Sequence, residues 1–372
     1  MVHSKSTTPA DYLLLGLFTV WLIFGLVMLT SASTPSGYSD FGDKYFFIKR
    51  QLMYGVAPGT ILYIITSRLR FSIFKTLAFP GFVISILLLI AVLIPGIGST
   101  LNTGSRSWLS FGGFTVQPAE FAKLGMIIFL AAHLAIHKEA IRNMIYGFGK
   151  SLLLGIIPVF LIILQPDIGT ASILFAILFG MLFVAEADYR HLSGLALLAI
   201  VSMGVLILIA PYRTARLTSF LNPENDLEGA GYQVNQAELA VGSGGVLGLG
   251  YGHSRQKYEY LPEVHGDSIF AVVGEEMGFV FAGGLIVLLV VIALRSFRLA
   301  GTLKDPFAAY VVSGIIIWFM VQSFFNIGGI IGVLPLTGVP LPFVSHGGTA
   351  LMIAMTAVGI VLNASKQPKI SL

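Results

Sequence analysis

The sequence predicts an all-α integral membrane protein of ten transmembrane helices, with both termini cytoplasmic and one long outer loop between helices 7 and 8. Three observations carry that prediction. Of the 372 residues 56% are hydrophobic and only 11% are charged. Uncharged apolar runs of eighteen or more residues recur along the whole length, which is what a helix needs to cross a hydrocarbon layer of about 30 Å. No soluble-looking block longer than 212–268 interrupts them, so residues 1–372 read as a single polytopic domain. Cysteine is absent, which removes disulfides, thiolate metal sites and a cysteine nucleophile.

The apolar runs place the spans in order. The first, 12–31, is long enough to span and lacks a small-residue cleavage site, so it reads as an anchor that stays in place. The second and third, 51–67 and 76–95, are joined by a short connection holding Arg68, Arg70 and Lys75. The fourth and fifth, 118–136 and 150–165, enclose Lys138, Arg142 and Lys150. The sixth and seventh, 169–186 and 193–211, are separated by Arg190, and the eighth and ninth, 269–294 and 308–331, by Arg295, Arg298 and Lys304. The tenth, 347–364, is followed by Lys366 and Lys369, and Lys5 precedes the first. These basic residues all fall on one side of the membrane, which the positive-inside rule makes the cytoplasm.

The opposite face then collects the unusual stretches: "GSRSWLSFGGFTVQPAEFAKLG", "LQPDIGT", the 212–268 loop and "GGIIGVLPLTGVPLPFVSHGGTA". Ionisable residues at the edges of spans are costly in hydrocarbon and usually face a polar cavity. Glu120 and Lys123 are three apart on one helical face, which allows either a self-satisfied ion pair or a cation for an anionic substrate. Asp167 follows Pro166 and suits the cap of the sixth helix. Glu275 and Glu276 lie about two turns into the eighth helix on adjacent faces, so at least one must point into the bundle.

The long loop carries the strongest chemistry. Arg213 and Arg216, with Arg255 and Lys257, could converge on a phosphate or pyrophosphate, or else touch anionic headgroups. Glu263, His265 and Asp267 add acids and an imidazole, the mixture expected where a hydroxyl is deprotonated beside a departing phosphate. The segment "GSGGVLGLGYG" matches neither a P-loop nor G-x-G-x-x-G and follows no strand, so its glycines point to a re-entrant or closely packed turn at the membrane edge. The seven histidines show no metal-ligand spacing. The three prolines of "LPLTGVPLPF" stop any helix and stiffen that loop. A formal charge of +4, explained by topology, gives no support to nucleic-acid binding.

Taken together, "LTSAS", "SRSWLSFGGFTVQPAEFAKL", "LQPDIGTA", "YRTARLTSFLNPENDLEGAGYQ", "YEYLPEVHGDSIFAVVGEEMGF" and "LPLTGVPLPFVSHGGTAL" resemble, in order and over nearly the whole chain, the SEDS family (shape, elongation, division and sporulation). The resemblance implies ten helices with cytoplasmic termini and a peptidoglycan glycosyltransferase of the bacterial cytoplasmic (inner) membrane. Such an enzyme polymerises lipid II at the outer face, with undecaprenyl pyrophosphate as leaving group. It also implies a class B penicillin-binding protein and other division proteins as partners, with the division branch favoured and the elongation branch the alternative.

The family's essential acidic residue corresponds to Asp267, which the resemblance makes the general base. Lys123 and Arg213 or Arg216 would hold the pyrophosphates, and Glu263 would orient the loop or tune Asp267. Arg106, Asp167, Lys257 and His265 complete the expected substrate-binding set. No cofactor is demanded, although a divalent cation, Mg or Mn, could assist at the pyrophosphate. The chain departs from the family pattern at Gly266 and Ser268, where Thr and Phe are usual, and at His346, where Tyr is usual. Two other classes are open on the sequence: a flippase for a lipid-linked precursor, which should place its polar groups at mid-membrane in repeated halves, and a non-catalytic scaffold, which would tolerate loss of Asp267.

Overall fold

The computed structural model describes residues 9–100, 105–111, 114–209, 211–221 and 230–370. The apolar runs fold as helices. These are α1 (Tyr12–Ala32), α2 (Thr34–Phe41), α3 (Phe46–Gln51), α4 (Ala57–Arg68), α5 (Phe71–Leu93), α6 (Pro118–Ile136), α7 (Gly149–Leu164) and α8 (Ile168–Val184), followed by α9 (Tyr189–Ile209), α10 (Pro211–Leu221), α11 (Ala230–Ser243), α12 (Ile269–Thr302), α13 (Pro306–Ile330) and α14 (Gly348–Ser365).

Among the described residues, eight helical segments are long and apolar enough to cross a membrane: α1, α5, α6, Met144–Leu164, α9, α12, α13 and α14. The sixth predicted span is α8, apolar but one residue short of that length at 17 residues. The second lies on α3 and α4, which a π-helical turn at Leu52–Val56 joins.

One expectation is corrected. The chain is not purely helical, because β1 (Gly98–Ser99), β2 (Trp108–Phe111) and β3 (Phe114–Val116) form a small antiparallel sheet in the order β1-β2-β3. The aromatic and β-branched residues of "WLSF" and "FTV" suit a pleated, half-buried surface, and the pairing of Leu109 with Val116 sets its register. Helices α10 and α11 fold at the start of the long loop.

Helices α13 and α14 are the most enclosed, and α9 the most peripheral. Trp21, Phe18, Phe319 and Phe343 form an aromatic cluster where α1, α13 and the 335–347 segment meet, with Trp21 and Phe343 centroids 4.7 Å apart. Buried amides tie distant helices to one another inside the bundle. Asn363 of α14, for example, donates to the carbonyls of Thr66 and Leu69 at 2.7 Å each, fixing the end of α4 against α14.

The backbone of α12 is broken at Gly278, with φ 70° and ψ −174°. A break inside a membrane-spanning helix leaves polar groups that hydrocarbon cannot satisfy, so other protein must cover them. The glycine-rich segment does so. Phe279 and Val280 donate their N–H groups to the carbonyls of Gly245 (2.9 Å) and Val246 (3.1 Å), while Leu249 and Gly250 donate to the carbonyls of Glu275 (2.9 Å) and Glu276 (3.0 Å). Contact this close excludes side chains. A Cβ on Gly278 would stand 2.2 Å from the Gly248 nitrogen, and one on Gly248 2.1 Å from the Glu276 carbonyl oxygen.

Candidate active site

Helix α13 carries two amides one turn apart, Gln322 and Asn326, on one helical face. The Gln322 Oε1 accepts from Lys123 Nζ (2.8 Å) and Trp318 Nε1 (2.7 Å), and its Nε2 donates to the Pro340 carbonyl (2.8 Å). The Asn326 Nδ2 donates to the carbonyls of Asp267 (2.7 Å) and Val339 (2.8 Å). One helical turn rises about 5.4 Å, so Lys123 and the Asp267 backbone are tied to successive turns of the same helix. Residues from three distant parts of the sequence thus share one end of the bundle.

Lys123 and Glu120 form the ion pair their spacing allows, at 2.8 Å and fully buried. The ammonium also lies 4.8 Å from the Trp318 ring centroid, and its bonds to Glu120, Gln322 and the ring offset the desolvation such a pair incurs. The second carboxylate oxygen, Glu120 Oε2, has no hydrogen-bond partner among the described residues. Glu120, Trp318, Gln322, Pro340, Ser345 and His346 are among the residues that line a narrow cleft.

Asp267 is half-buried on the segment leading into α12. Its loop is closed by the N–H groups of Gly266 (2.8 Å) and Ser268 (3.2 Å) donating to the Glu263 carbonyl, with Glu263 exposed and held at φ +50°. Ser345 Oγ donates to the Gly266 carbonyl (2.6 Å) and the His346 N–H to the His265 carbonyl (2.8 Å), which fastens the loop to the proline-rich segment. Gln51 fixes that segment in turn, accepting from the Gly347 N–H (2.9 Å) and donating to the Ser345 carbonyl (3.3 Å). On the side-chain side, Gln233 Nε2 lies 3.4 Å from Asp267 Oδ1 and donates to Ser268 Oγ at 3.0 Å.

His265 packs against Phe47 with ring centroids 4.1 Å apart, and His346 meets the same ring edge-on at 5.2 Å. Burial holds His265 below the usual imidazole range against the opposing pull of Glu263 and Asp40. Burial, then repulsion from His265 and Arg50, pushes His346 down to about 3. Both rings are therefore neutral near pH 7.

The remaining predicted residues divide. Arg106 is exposed just ahead of β2. Asp167 caps α8, accepting from the Thr170 N–H at 3.0 Å. Arg213 and Arg216 lie on α10, but their side chains fall outside the described residues.

Lys257 requires a correction, because it does not open toward a substrate. It is buried, with its ammonium donating to Glu276 Oε1 (2.7 Å), Ser31 Oγ (3.0 Å) and the Gly252 carbonyl (2.9 Å), so its three protons are engaged. Glu276 also accepts from Ser31 Oγ and from the N–H groups of Gly252 (3.0 Å) and Ser254 (3.2 Å). Glu275 accepts from the Ser254 hydroxyl and the Arg255 N–H (2.8 Å). Both glutamates face inward and hold the loop onto the broken helix.

Sequence reasoning missed Gln233, Gln322, Asn326, Trp318 and Gln51. Their signal was present in "WFMVQSFFN", where two amides four apart interrupt an apolar helix, a spacing that puts both on one face.

Together the fold and site define a polytopic helical membrane protein with a narrow cleft that Glu120, Gln322 and His346 help to line, and a loop-borne carboxylate at the same end of its bundle. The chain belongs to the cell cycle protein family of FtsW, RodA and SpoVE, whose model matches residues 11–370. It is 41% identical to stage V sporulation protein E of Bacillus subtilis, over 98% of each chain. It is 36% identical to a probable peptidoglycan glycosyltransferase FtsW of Trichlorobacter lovleyi, over 97% of this chain and 94% of that one. Among solved structures it is similar to a chain from work on the structural coordination of polymerization and crosslinking by a peptidoglycan synthase complex. That match has a TM-score of 0.79 and 29% identity, and covers 96% of this chain and 97% of that one. The crystal structure of rod shape determining protein RodA of Thermus thermophilus matches with a TM-score of 0.69 and 26% identity, over 96% of each chain.

Proposed function

We infer that this protein is a peptidoglycan glycosyltransferase that polymerises lipid II at the outer face of the bacterial cytoplasmic membrane, in division or sporulation. The observation that carries the reading is the tie, through Gln322 and Asn326 of one helix, between the buried Lys123 and the segment that presents Asp267. The relatives named as glycosyltransferases or sporulation proteins match along nearly all of this chain, which favours the division-type branch over the elongation branch. Ten spans with cytoplasmic termini complete the topology proposed.

In the reaction proposed, Asp267 takes the proton of the acceptor sugar hydroxyl. That oxygen attacks the anomeric carbon of the donor, and the bond from this carbon to the pyrophosphate oxygen breaks. The electron pair leaves on undecaprenyl pyrophosphate. Lys123, with Arg213 and Arg216 contributed by α10, supplies positive charge for the leaving group. A carboxylate base of this kind contributes roughly 10²–10⁴-fold. The partner proposed is a cross-linking enzyme, a class B penicillin-binding protein, in line with the polymerisation and crosslinking complex to which one structural relative belongs.

The test is polymerisation of lipid II by the purified protein with its partner, comparing wild type with Asp267→Ala. The Asn326 contact uses the Asp267 carbonyl rather than its carboxylate, so the variant keeps that anchor and is expected to fold, bind the partner and make no glycan. Full activity in Asp267→Ala would refute the assignment.

A further inference from the structure

Two buried hydrogen-bonding atoms in the cleft are unspent. Glu120 Oε2 and His346 Nδ1 each lack a partner among the described residues, and both residues line the same space. A buried polar group left unsatisfied is destabilising, so two of them on one cleft mark the place where a ligand's polar groups belong. His346 cannot turn away to find another partner. Its backbone N–H is held by the His265 carbonyl (2.8 Å), its ring edge lies on Phe47, and Ser345 before it is pinned to Gly266 and Leu341. The charged and titratable groups facing it are His265 on the Asp267 loop and Arg50 on α3, with Glu120 of α6 across the cleft; Glu263 and Asp40 of α2 act on His265 beside it.

We propose that His346 is a substrate-binding residue, its imidazole and Glu120 Oε2 together holding a hydroxyl or acylamino group of a sugar ring in the cleft between α6, α13 and the 335–347 segment. The chemistry selects that ligand class. A neutral imidazole offers one donor and one acceptor, and Glu120 Oε2 accepts only, a set that matches a hydroxyl or amide N–H. The inference rests on the glycosyltransferase reading and assigns His346 no part in proton transfer.

The experiment compares His346→Phe, which keeps the ring against Phe47 but removes both nitrogens, with His346→Tyr, which restores a polar tip. Polymerisation of lipid II gives kcat and KM. Binding of lipid II to an Asp267→Asn background, with and without His346→Phe, reads affinity without turnover. Loss of one neutral hydrogen bond predicts a rise in KM and in Kd of about 3- to 10-fold for Phe with kcat held within about 2-fold, and recovery in Tyr. Unchanged KM and Kd in His346→Phe overturn the proposal, as does a fall in kcat alone. Should the Phe variant not purify as a monodisperse protein, His346→Gln against His346→Leu makes the same comparison, with Gln expected near wild type and equality of the two overturning it. Wild-type protein that neither binds nor polymerises lipid II would instead sink the glycosyltransferase reading and leave this one without a substrate to hold.

Discussion

Lys257→Met tests how the long loop is held. The substitution keeps the length of the side chain and removes the only side-chain cation bonded to Glu276 among the described residues. Glu276 would remain fully buried, with the Ser31 hydroxyl and the N–H groups of Gly252 and Ser254 still donating to it. Removing one partner of a buried ion pair costs about 3–5 kcal/mol. The three surviving donors place the expected loss toward the low end of that range, about 3 kcal/mol. Glu276→Gln, which leaves Lys257 buried without its carboxylate, should lose a similar amount.

The double variant carries no buried charge at this point and should be more stable than either single one, with a coupling on the order of 2 kcal/mol. Thermal unfolding midpoints of the protein in detergent measure all three. Limited trypsin digestion after the exposed Arg255 reports the loop directly, because the Arg255 N–H is bonded to Glu275 beside this pair. Faster cleavage is expected in each single variant. Single variants as stable and as protease-resistant as wild type, or losses that simply add in the double variant, would refute the clamp.

Three further outcomes follow from the same geometry. Gly278→Ala should fold poorly, because an alanine pays about 1–3 kcal/mol for that backbone region and its Cβ meets the Gly248 nitrogen at 2.2 Å; yield of monodisperse protein measures this. Gly266→Thr, which restores the residue usual in the family, should keep polymerisation within about 2-fold, since Gly266 is outside the left-handed region and the tightest contact of its Cβ would be the mobile end of Glu263, at 3.1 Å, with the Glu263 carbonyl oxygen in ordinary contact at 3.4 Å. A tenfold loss there would show that the loop needs glycine. Acid should destabilise the protein through His346. Its folded value of about 3 lies below the 6.5 of an unfolded imidazole, so the unfolded state binds more protons between those values and stability falls as pH drops from about 6.5 toward 3. His265, also depressed, acts in the same direction. Unfolding midpoints at pH 7 and pH 5 should differ less in His346→Phe than in wild type.

Much of the fold was legible because a bilayer imposes one simple demand, apolar length, which each span meets with its own residues. The eight long apolar helices are of this local kind. Lys123 and Glu120 could be paired on helical spacing alone, and Asp167 could be read as a cap, because each partner lies within one turn. Lys257 could not be read in this way. Its sequence neighbours suggest a cation beside acids at a substrate, whereas its actual partners, Ser31 and Glu276, come from α1 and α12.

The sequence by itself determined that this chain builds a helical membrane protein, which family it joins, and that an acid in the loop before α12 matters. Tertiary structure alone decided that Gln322 and Asn326 join Lys123 to the Asp267 loop, that Glu275 and Glu276 hold the segment around 252–257, and that His346 lines the cleft. The physical reason is that hydropathy and helical spacing are properties of neighbours in the chain. Hydrogen bonds spanning 59 residues, from Asn326 to Asp267, or 199, from Lys123 to Gln322, exist only after the helices have packed.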